Sequence, residues 1–333
     1  MATIAGPLGL TLEEIDRAAE LVHQAVPPTP AYRWPLLCER LGVDLTVKHE
    51  NHTPLGAFKM RGGLTYVDAL RRRAPHVRRL VSATRGNHGQ SIAFAAARAG
   101  LRATLVVPEG NSTEKKAAMR ALGAELIVHG SDYEAAREHA DEIVASDPTA
   151  HLVPPYHRDL VVGVASYARE LFAAGRFDVV YVPIGLGSGL TGVIAVRDLL
   201  GLDTEVVAVV PERFPVWARA FATRAAAEAA PSSSIADGMA CRITDPTSLP
   251  IVLAGTARIV MLADEAIEDA MRWIFTDTHN VAEGAGAAPV AAVAAERERL
   301  RGKRVAAILS GGNVDAAIFA PLLANRQEGA VAR

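Results

Sequence analysis

From residue 79 onward, short apolar segments of strand character alternate with longer segments of helical character. Three strand candidates lie at residues 80–82, 103–107 and 125–128, and each is followed by a helical pattern. The alternation resumes beyond residue 155, with strand candidates at 178–184, 205–210, 258–262 and 304–309. Strands separated by helices in this way are typical of βαβ units. We therefore predict an α/β protein with parallel twisted sheets flanked by helices.

Pro154 and Pro155 interrupt the alternation and indicate a crossing between two structural units. The 333 residues are enough for two α/β domains or for one large one. We predict a small domain of residues 80–154, inserted into a large domain made of residues 1–79 and 155–333. Ligands of open parallel sheets bind beyond the carboxyl ends of the strands. A ligand is therefore expected in the cleft between the two domains.

Capping signals predict where individual helices begin and end. The capping box Thr11-Leu-Glu-Glu14 predicts a helix from Thr11 to about Gln24. A second box, Ser131-Asp-Tyr-Glu134, predicts a helix that ends near Ala145. A third helix is expected over residues 61–73, and the tail after Asn325 is expected to fray.

Charge and cysteine usage exclude several classes of protein. The formal net charge of −2 gives no electrostatic footprint for nucleic acid or for an anionic membrane. No uncharged apolar run approaches the length of a transmembrane helix, and no signal peptide is expected. Cys38 and Cys241 have neither CxxC spacing nor clustered histidines around them, so we expect no metal site. Two reduced thiols favour a cytoplasmic protein.

One lysine lies in a glycine-rich segment, Leu55-Gly-Ala-Phe-Lys-Met-Arg-Gly-Gly63. Only five of the 35 basic residues are lysines: Lys48, Lys59, Lys115, Lys116 and Lys303. A desolvated lysine can lose its proton, whereas arginine cannot. A neutral amine can then form a Schiff base or act as a base. An ordinary lysine at a loop-to-helix junction is the simpler interpretation of Lys59.

The segment Gly185-Leu-Gly-Ser-Gly189 leaves a predicted strand and opens a helix. Its glycines let backbone N–H groups approach an anion, and the helix N-terminus adds positive potential, which favours a phosphate. The segment lacks the Gly-Lys-Ser/Thr of a nucleotide P-loop. Two alternatives are a tight turn and, with Glu212, a loose dinucleotide fingerprint whose third glycine is misplaced.

Two further polar residues follow predicted strands. Asn87, in Thr84-Arg-Gly-Asn-His88, could cap a helix or donate its amide to a phenolate oxygen. Ser310 could be a turn residue, or its hydroxyl could hydrogen-bond a ring nitrogen. A reactive lysine, a phosphate cup, an amide donor and a strand-end hydroxyl are together what pyridoxal phosphate requires.

With these four motifs in this order, the chain resembles the fold-type II pyridoxal-phosphate enzymes, specifically the serine/threonine dehydratase family, from about Thr11 to Phe319. The resemblance implies that Lys59 is catalytic and carries the cofactor. It implies further cofactor contacts from Phe58, Asn87, Gly185, Leu186, Gly187, Ser188, Gly189 and Ser310. It implies substrate contacts from Thr84, Arg85, Gly86 and His88. Residues 236–238 and 283–285 are weaker matches, expected in the pocket wall.

The implied reaction eliminates water from a β-hydroxy amino acid, such as L-threonine or L-serine, to give a 2-oxo acid and ammonia. The implied partners are pyridoxal 5'-phosphate, a small amino-acid substrate and a second copy of the chain in a homodimer. Racemisation, β-replacement and dehydration of a modified or acidic hydroxy amino acid are alternatives on the same cofactor. A dinucleotide-dependent oxidoreductase and a non-catalytic metabolite-binding protein are alternatives of other classes.

Three positions depart from the family pattern. Arg85 stands where the family often has a serine, which its racemases use as an acid–base group. Because arginine stays protonated, this favours elimination over racemisation, and the added cation favours a polar or acidic substrate side chain. Val210 stands where cation-binding members carry a glutamate, so a metal site is not expected. Val164 replaces a family glutamine, which suggests a substrate preference different from threonine.

Overall fold

The computed structural model describes residues 6–230 and 232–324, so the predicted fraying after Asn325 lies outside the described residues. The strands are β1 (Ala31–Arg33), β2 (Asp44–His49), β3 (Arg79–Ala83), β4 (Arg102–Val107), β5 (Glu125–Val128), β6 (Ala150–Leu152), β7 (Val179–Pro183), β8 (Glu205–Pro211), β9 (Arg258–Leu262) and β10 (Arg304–Leu309). The first helices are α1 (Leu12–His23), α2 (Pro35–Leu41), α3 (Lys59–Arg73), α4 (Asn87–Arg98), α5 (Thr113–Ala121), α6 (Tyr133–Ser146) and α7 (Arg158–Ala174). They are followed by α8 (Ser188–Leu199), α9 (Val216–Thr223), α10 (Leu249–Gly255), α11 (Asp264–Thr278), α12 (Gly284–Ala295) and α13 (Ala316–Ala324).

The strands form two sheets. The larger has six strands in the order β1-β2-β10-β7-β8-β9, all parallel except β1, which pairs antiparallel with β2. The smaller has four parallel strands in the order β5-β4-β3-β6. Both sheets are flanked by helices, which confirms the predicted α/β fold with parallel sheets.

Alternate residues of the larger sheet face two different cores. Val179 and Tyr181 of β7 lie in one core with α2, α11 and α12, whereas Val180 and Val182 lie in the other with α7 and α8. Side chains alternate across a strand, and here both faces are covered, so the central strands are almost continuously apolar. Ligand-binding polar groups are therefore expected beyond the ends of these strands.

The smaller sheet also has helices on both faces. Ala136 and Ala140 of α6 cover one face. On the other, Met60 and Leu64 of α3 share a core with Leu80 of β3 and with α4. Helix α3 precedes residue 80, so it links the two predicted domains through the core of the smaller sheet. We propose the division at residues 80–154 for the smaller unit, with α3 packed against it.

The predicted helix starts are correct for α1 and shifted for two others. Thr11 accepts a hydrogen bond from the Glu14 N–H (3.2 Å), and the Glu14 carboxylate accepts one from the Thr11 N–H (3.1 Å), which confirms the capping box. The α6 prediction is wrong by one residue, because Asp132 rather than Ser131 accepts from the first turn. Helix α3 starts at Lys59, two residues before the predicted start.

Glycines allow α3 and α7 to cross at short range. A Cβ atom added to Gly163 would lie 2.3 Å from the Arg61 carbonyl oxygen, and one added to Gly62 would lie 2.7 Å from the Leu160 carbonyl oxygen. Val164 is buried at this crossing, with a methyl group against Gly62. Its side chain therefore fills the core between helices, and this position gives no support to the predicted influence on substrate preference.

Among the described residues, none of the helices has the length and apolar character required to cross a membrane.

Candidate active site

A pocket lies where strands of the two sheets end. Lys59 follows β2, Ser310 follows β10 and the loop 185–189 follows β7, and these three strands are neighbours in the larger sheet. Asn87 follows β3 of the smaller sheet. The pocket is lined by Phe58, Lys59, Asn87, Pro183, Gly185, Leu186, Gly187, Ser188, Gly189, Gly238, Met239, Glu283, Ala285 and Ser310. All the residues predicted to contact a cofactor therefore converge, and the weaker matches 236–238 and 283–285 contribute to the wall.

Lys59 is the first residue of α3 and reaches into this pocket. Its amine lies 4.6 Å from the centre of the Phe58 ring, which in turn packs edge-on against Tyr167. Burial lowers the pKa of the Lys59 amine below its ordinary value, and electrostatic interactions with Cys241 and Glu283 oppose this shift. The desolvated environment that the lysine chemistry requires is thus present.

Backbone contacts fix the Lys59 segment against the Ser310 segment. The Phe58 N–H donates to the Ser310 carbonyl (3.0 Å), and the Gly312 N–H donates to the Gly56 carbonyl (2.9 Å). Ser310 is buried, and its hydroxyl has no hydrogen-bond partner among the described residues. The two backbone hydrogen bonds therefore fix the segment that carries the lysine amine relative to the segment that carries the serine hydroxyl. The hydroxyl is available to bind a ligand.

The glycine loop has its carbonyl groups turned away from the pocket. Trp217 donates its indole N–H to the Gly185 carbonyl (2.6 Å), and Ser248 donates its hydroxyl to the Leu186 carbonyl (2.8 Å). Tyr167 donates to the Gly189 carbonyl (2.9 Å). With these carbonyls engaged, the N–H groups at the start of α8 are available for an anion, as in a phosphate cup.

The loop also needs its glycines. Gly187 has φ +107°, a conformation that favours glycine, and a Cβ atom at Gly185 would lie 2.7 Å from the Gly238 carbonyl oxygen. Backbone and ligand can therefore approach closely here.

The Asn87 side chain is clamped from both sides. Its amide nitrogen donates to Glu283 Oε1 (2.7 Å), and its amide oxygen accepts from the Asn313 amide (2.9 Å). Asn313 also donates to the Leu55 carbonyl (2.7 Å), next to the Lys59 segment. One amide hydrogen of Asn87 is left for a ligand in the pocket, so the predicted donation to a ring oxygen is geometrically available.

Three of the predicted substrate-binding residues have defined places around this loop. The Thr84 hydroxyl is buried and accepts from the N–H groups of Gly86 (3.0 Å) and Gly89 (2.9 Å), so its oxygen stabilises the start of α4. A Cβ at Gly86 would lie 2.5 Å from Lys115 Cδ, so a larger residue would displace the Lys115 side chain. His88 Nε2 is buried without a hydrogen-bond partner among the described residues. Burial lowers the pKa of His88 to about 3, and the charge of Lys59 acts in the same direction.

Arg85, the fourth, is exposed on the loop between β3 and α4, and it is not among the residues that line the pocket. Burial raises the pKa of the Cys241 thiol to about 11, and the charges of Lys59 and Arg85 oppose the rise. Cys241 lies beside Gly185 of the glycine loop, whose added Cβ would lie 3.7 Å from the sulfur.

Val210, which stands where cation-binding members of the family carry a glutamate, lies in an apolar environment. Val210 is buried in the core of the larger sheet, among side chains of α7 and α8. Over the residues that the structure describes, no three His, Cys, Asp or Glu side chains are grouped as a metal ion would require.

Taken together, these groups define an enzyme that uses a phosphate-bearing aldehyde cofactor. The cup of N–H groups suits a phosphate, the desolvated Lys59 amine suits a carbonyl, and the orphan Ser310 hydroxyl suits a ring nitrogen. Asn87 can donate to an oxygen between them. Pyridoxal 5'-phosphate has all four groups: a phosphate, an aldehyde carbonyl, a ring nitrogen and a ring oxygen. The residues of the pocket therefore fit this cofactor.

Comparison with known proteins agrees with this site. The family described as pyridoxal-phosphate dependent enzyme matches residues 22–311 of the chain. The chain therefore belongs to the pyridoxal-phosphate dependent enzymes, and its cofactor is pyridoxal 5'-phosphate. This membership decides between the cofactor classes that the glycine loop alone had left open.

Individual relatives are ammonia-lyases. The L-threonine ammonia-lyase of Thermotoga maritima is 30% identical over 92% of this chain and 76% of its own. The L-threo-3-hydroxyaspartate ammonia-lyase of Saccharomyces cerevisiae is 29% identical over 96% of this chain and 98% of its own. The solved threonine deaminase of T.th. is 31% identical, has a TM-score of 0.85, and covers 92% of this chain and 99% of its own. The chain is accordingly a pyridoxal-phosphate dependent lyase of the fold-type II architecture.

Several residues of the site were not found from the sequence. Trp217 and Ser248 orient the glycine loop from distant segments. Asn313 donates to the Asn87 amide oxygen, and Lys115 lies 3.5 Å from the Glu283 carboxylate that accepts from the Asn87 amide nitrogen. None belongs to a glycine-rich motif except Asn313, in Ser310-Gly-Gly-Asn313. Lysine is rare in this chain, with only five residues, and this rarity could have indicated a special role for Lys115 as it did for Lys59.

Proposed function

We propose that the protein eliminates water from a β-hydroxy L-amino acid and releases a 2-oxo acid and ammonia. The observation that carries this proposal is that the Lys59 amine is desolvated and that backbone hydrogen bonds fix its segment against the segment of Ser310. The threonine and 3-hydroxyaspartate ammonia-lyases among its relatives support the same reaction.

Lys59 is proposed to act as the base that takes the substrate Cα proton. When bound, pyridoxal phosphate supplies the electron-withdrawing ring that makes this proton acidic. The lowered pKa of Lys59 leaves a larger fraction of the amine neutral, which a base requires. Phe58 beside it excludes water and limits the positions that the amine can take.

Ser310 is proposed to favour elimination over transamination. Its hydroxyl is neutral, whereas a carboxylate at the same place would stabilise a proton on the ring nitrogen. With that nitrogen unprotonated, negative charge from Cα is delocalised less fully into the ring, and expulsion of the β-hydroxyl competes better with reprotonation.

Arg85 is proposed to suppress racemisation. A racemase needs a second acid–base group on the face of the substrate opposite Lys59, and a guanidinium does not lose its proton in a protein. Elimination needs only one base, so the substitution is compatible with a lyase.

Arg85 also favours a second candidate substrate, a β-hydroxy amino acid with an acidic side chain such as 3-hydroxyaspartate. Its charge opposes the rise in the pKa of the Cys241 thiol, and Cys241 lies beside Gly185 of the pocket wall. A guanidinium can form a bidentate pair with a carboxylate. The 3-hydroxyaspartate ammonia-lyase among the relatives is consistent with this preference.

We further propose that the protein works as a homodimer in the cytoplasm. The free thiols Cys38 and Cys241 fit a reducing compartment. Light scattering coupled to size-exclusion chromatography would measure the mass in solution, and a mass near 35.2 kDa at working concentration would contradict the dimer.

A panel of β-hydroxy amino acids, scored for 2-oxo acid and ammonia, tests the reaction. We expect L-serine, L-threonine or L-threo-3-hydroxyaspartate to be consumed with equal yields of both products. Lys59→Ala should abolish turnover and the visible absorption of the lysine-bound cofactor. Lys303→Ala, which removes a surface lysine paired with Glu205, is the matched control and should behave as wild type. Product formation by Lys59→Ala at more than a few per cent of the wild-type rate would refute the proposal.

A further inference from the structure

Lys115 is a buried lysine that crosses from one sheet unit to the other. It lies on α5, whose core belongs to the smaller sheet, and its amine donates to Asp237 Oδ2 (2.8 Å) beside the pocket. The same amine lies 3.5 Å from Glu283 Oε2. The aliphatic part of the Lys115 side chain packs against Gly86, where an added Cβ would lie 2.5 Å from Lys115 Cδ. The reaction proposed above gives this lysine no role.

Glu283 depends on that lysine for compensation of its charge. Its side chain is 4% exposed, Oε1 accepts from Asn87, and Oε2 has no hydrogen-bond partner among the described residues. The charged groups that face it are Lys115 and Lys59, which favour the carboxylate, and Asp237, which disfavours it. Burial raises the pKa of Glu283, and Lys115 is the largest opposing influence. Without Lys115, the carboxylate would take up a proton more readily.

The charge of Glu283 bears on the orientation of Asn87. A hydrogen bond to an ionised carboxylate is roughly twice as strong as a neutral one. Asn313 fixes the amide oxygen of Asn87, and Glu283 fixes its amide nitrogen, so the pair determines where the remaining N–H points. Weakening the Glu283 bond leaves the amide held from one side only.

We propose that Lys115 is a positioning residue that keeps Glu283 ionised and so holds the Asn87 amide toward the bound cofactor. The inference rests on family membership and on the proposed role of Asn87 as a donor to the ring oxygen. We name the set Lys115, Asp237, Glu283 and Asn87 the Lys115 network. Because Lys115 comes from the smaller sheet unit, the network is complete only when α5 is docked on the larger one.

Other contacts keep α5 docked when Lys115 is replaced. Ser112 donates its hydroxyl to Asp315, and the Thr113 N–H donates to the same carboxylate (3.2 Å). Glu114 accepts from the Ala316 N–H (2.8 Å). A variant without the Lys115 amine is therefore expected to fold and to retain its cleft.

The test uses the holoenzyme without substrate. In Lys115→Met we expect the bound cofactor to dissociate about tenfold faster, from the loss of one charge-assisted contact. We also expect the midpoint of the pH dependence of its visible absorption to move about one unit upward. The defect should shrink as pH rises, because Glu283 regains its charge above its pKa. Lys116→Met, a change at a half-buried lysine on the same helix, is the control and should match wild type.

A double variant distinguishes positioning from packing. If Lys115 acts through the Glu283 charge, Lys115→Met should have little further effect in a Glu283→Gln background, since a neutral amide needs no counter-charge. In Asp237→Asn, Glu283 is the remaining carboxylate partner of Lys115 in the network. The midpoint of the pH dependence of the visible absorption should therefore move downward. Additive effects of the Lys115 and Glu283 changes, or a Lys115→Met variant equal to Lys116→Met, would overturn the proposal. If Lys115→Met does not fold, the test is Asp237→Asn. The proposal is then overturned if the midpoint of the pH dependence of the visible absorption does not move downward in that variant. These readouts need no substrate, so they are independent of whether the dehydratase reaction is correct.

Discussion

The structure contains two clusters of buried charges, and they differ in how completely their charges and hydrogen-bonding groups are paired. The first, the Arg61 network, consists of Lys48, Glu50, Arg61 and Glu170 with the hydroxyls of Thr29 and Ser166. Its two cations and two carboxylates balance, and the Arg61 guanidinium donates to both carboxylates (2.6–3.0 Å). The Lys115 network has one cation for two carboxylates, and one oxygen of Glu283 lacks a hydrogen bond among the described residues.

The difference separates a structural role from a functional one. A fully paired buried cluster is costly to disturb, because removal of any member leaves an uncompensated charge. It therefore locks α3, β2 and α7 together behind the pocket, with Arg61 two residues from Lys59. An incompletely satisfied cluster can change its protonation or its contacts at smaller cost, as a group that faces a ligand must.

The largest expected effect breaks the Arg61 network. Arg61→Met leaves Glu50 and Glu170 buried without their partner, and it should lower the free energy of unfolding by about 3–5 kcal/mol. Urea denaturation measures this change. The control is Arg72→Met, whose exposed pair with Asp68 should contribute no more than about 0.5 kcal/mol. Equal effects of the two substitutions would remove the proposed distinction between the clusters.

A titration of stability with acid sharpens the comparison. Burial opposes ionisation of Glu170, but Arg61 and Lys48 outweigh it and lower the pKa of Glu170 to about 2. Because the folded pKa lies below the ordinary value of 4.5, the stabilisation is complete above pH 4.5 and is lost as pH falls toward 2. The loss should reach roughly 3 kcal/mol.

Two variants identify the source of that slope. Glu170→Gln should flatten the fall in unfolding free energy between pH 4.5 and 2, whereas Glu283→Gln should leave it in place, because burial moves the pKa of Glu283 upward. The pKa of His49, lowered by burial to about 4, affects stability at higher pH and is common to both variants. An unchanged acid slope in Glu170→Gln would show that the Arg61 network does not depend on this carboxylate.

The smallest expected effect on stability is at Arg85, an exposed residue of the loop between β3 and α4. Arg85→Ser should change the free energy of unfolding by less than about 0.5 kcal/mol, since the residue is exposed. It should lower kcat/KM for 3-hydroxyaspartate about tenfold relative to L-threonine, through loss of the guanidinium–carboxylate pair. Chiral analysis of residual substrate should reveal whether racemisation appears. Arg120→Ser on α5 is the control, and an unchanged substrate ranking in Arg85→Ser would exclude Arg85 from recognition.

The local parts of the site could be predicted because each is carried by a short motif. Lys59, the loop 185–189 and Ser310 each follow a strand, and the carboxyl ends of parallel strands meet at one edge of a sheet. The order of residues alone therefore placed them together. Val164 shows the limit of this reasoning, since its departure from a family motif suggested a substrate preference different from threonine, whereas the side chain is buried at a helix crossing.

What the sequence determined by itself is the alternating α/β pattern, the capping of α1 and the chemistry of the motifs, because these depend on residues close together in the chain. Tertiary structure alone decided which carbonyls of the glycine loop are occupied by Trp217 and Ser248, and that Arg61 is buried among two carboxylates. It also decided that Lys115 reaches Glu283 from a distant part of the chain. The physical reason is that desolvation and ion pairing depend on distances in space, which the packing of two sheets sets and which no local pattern records.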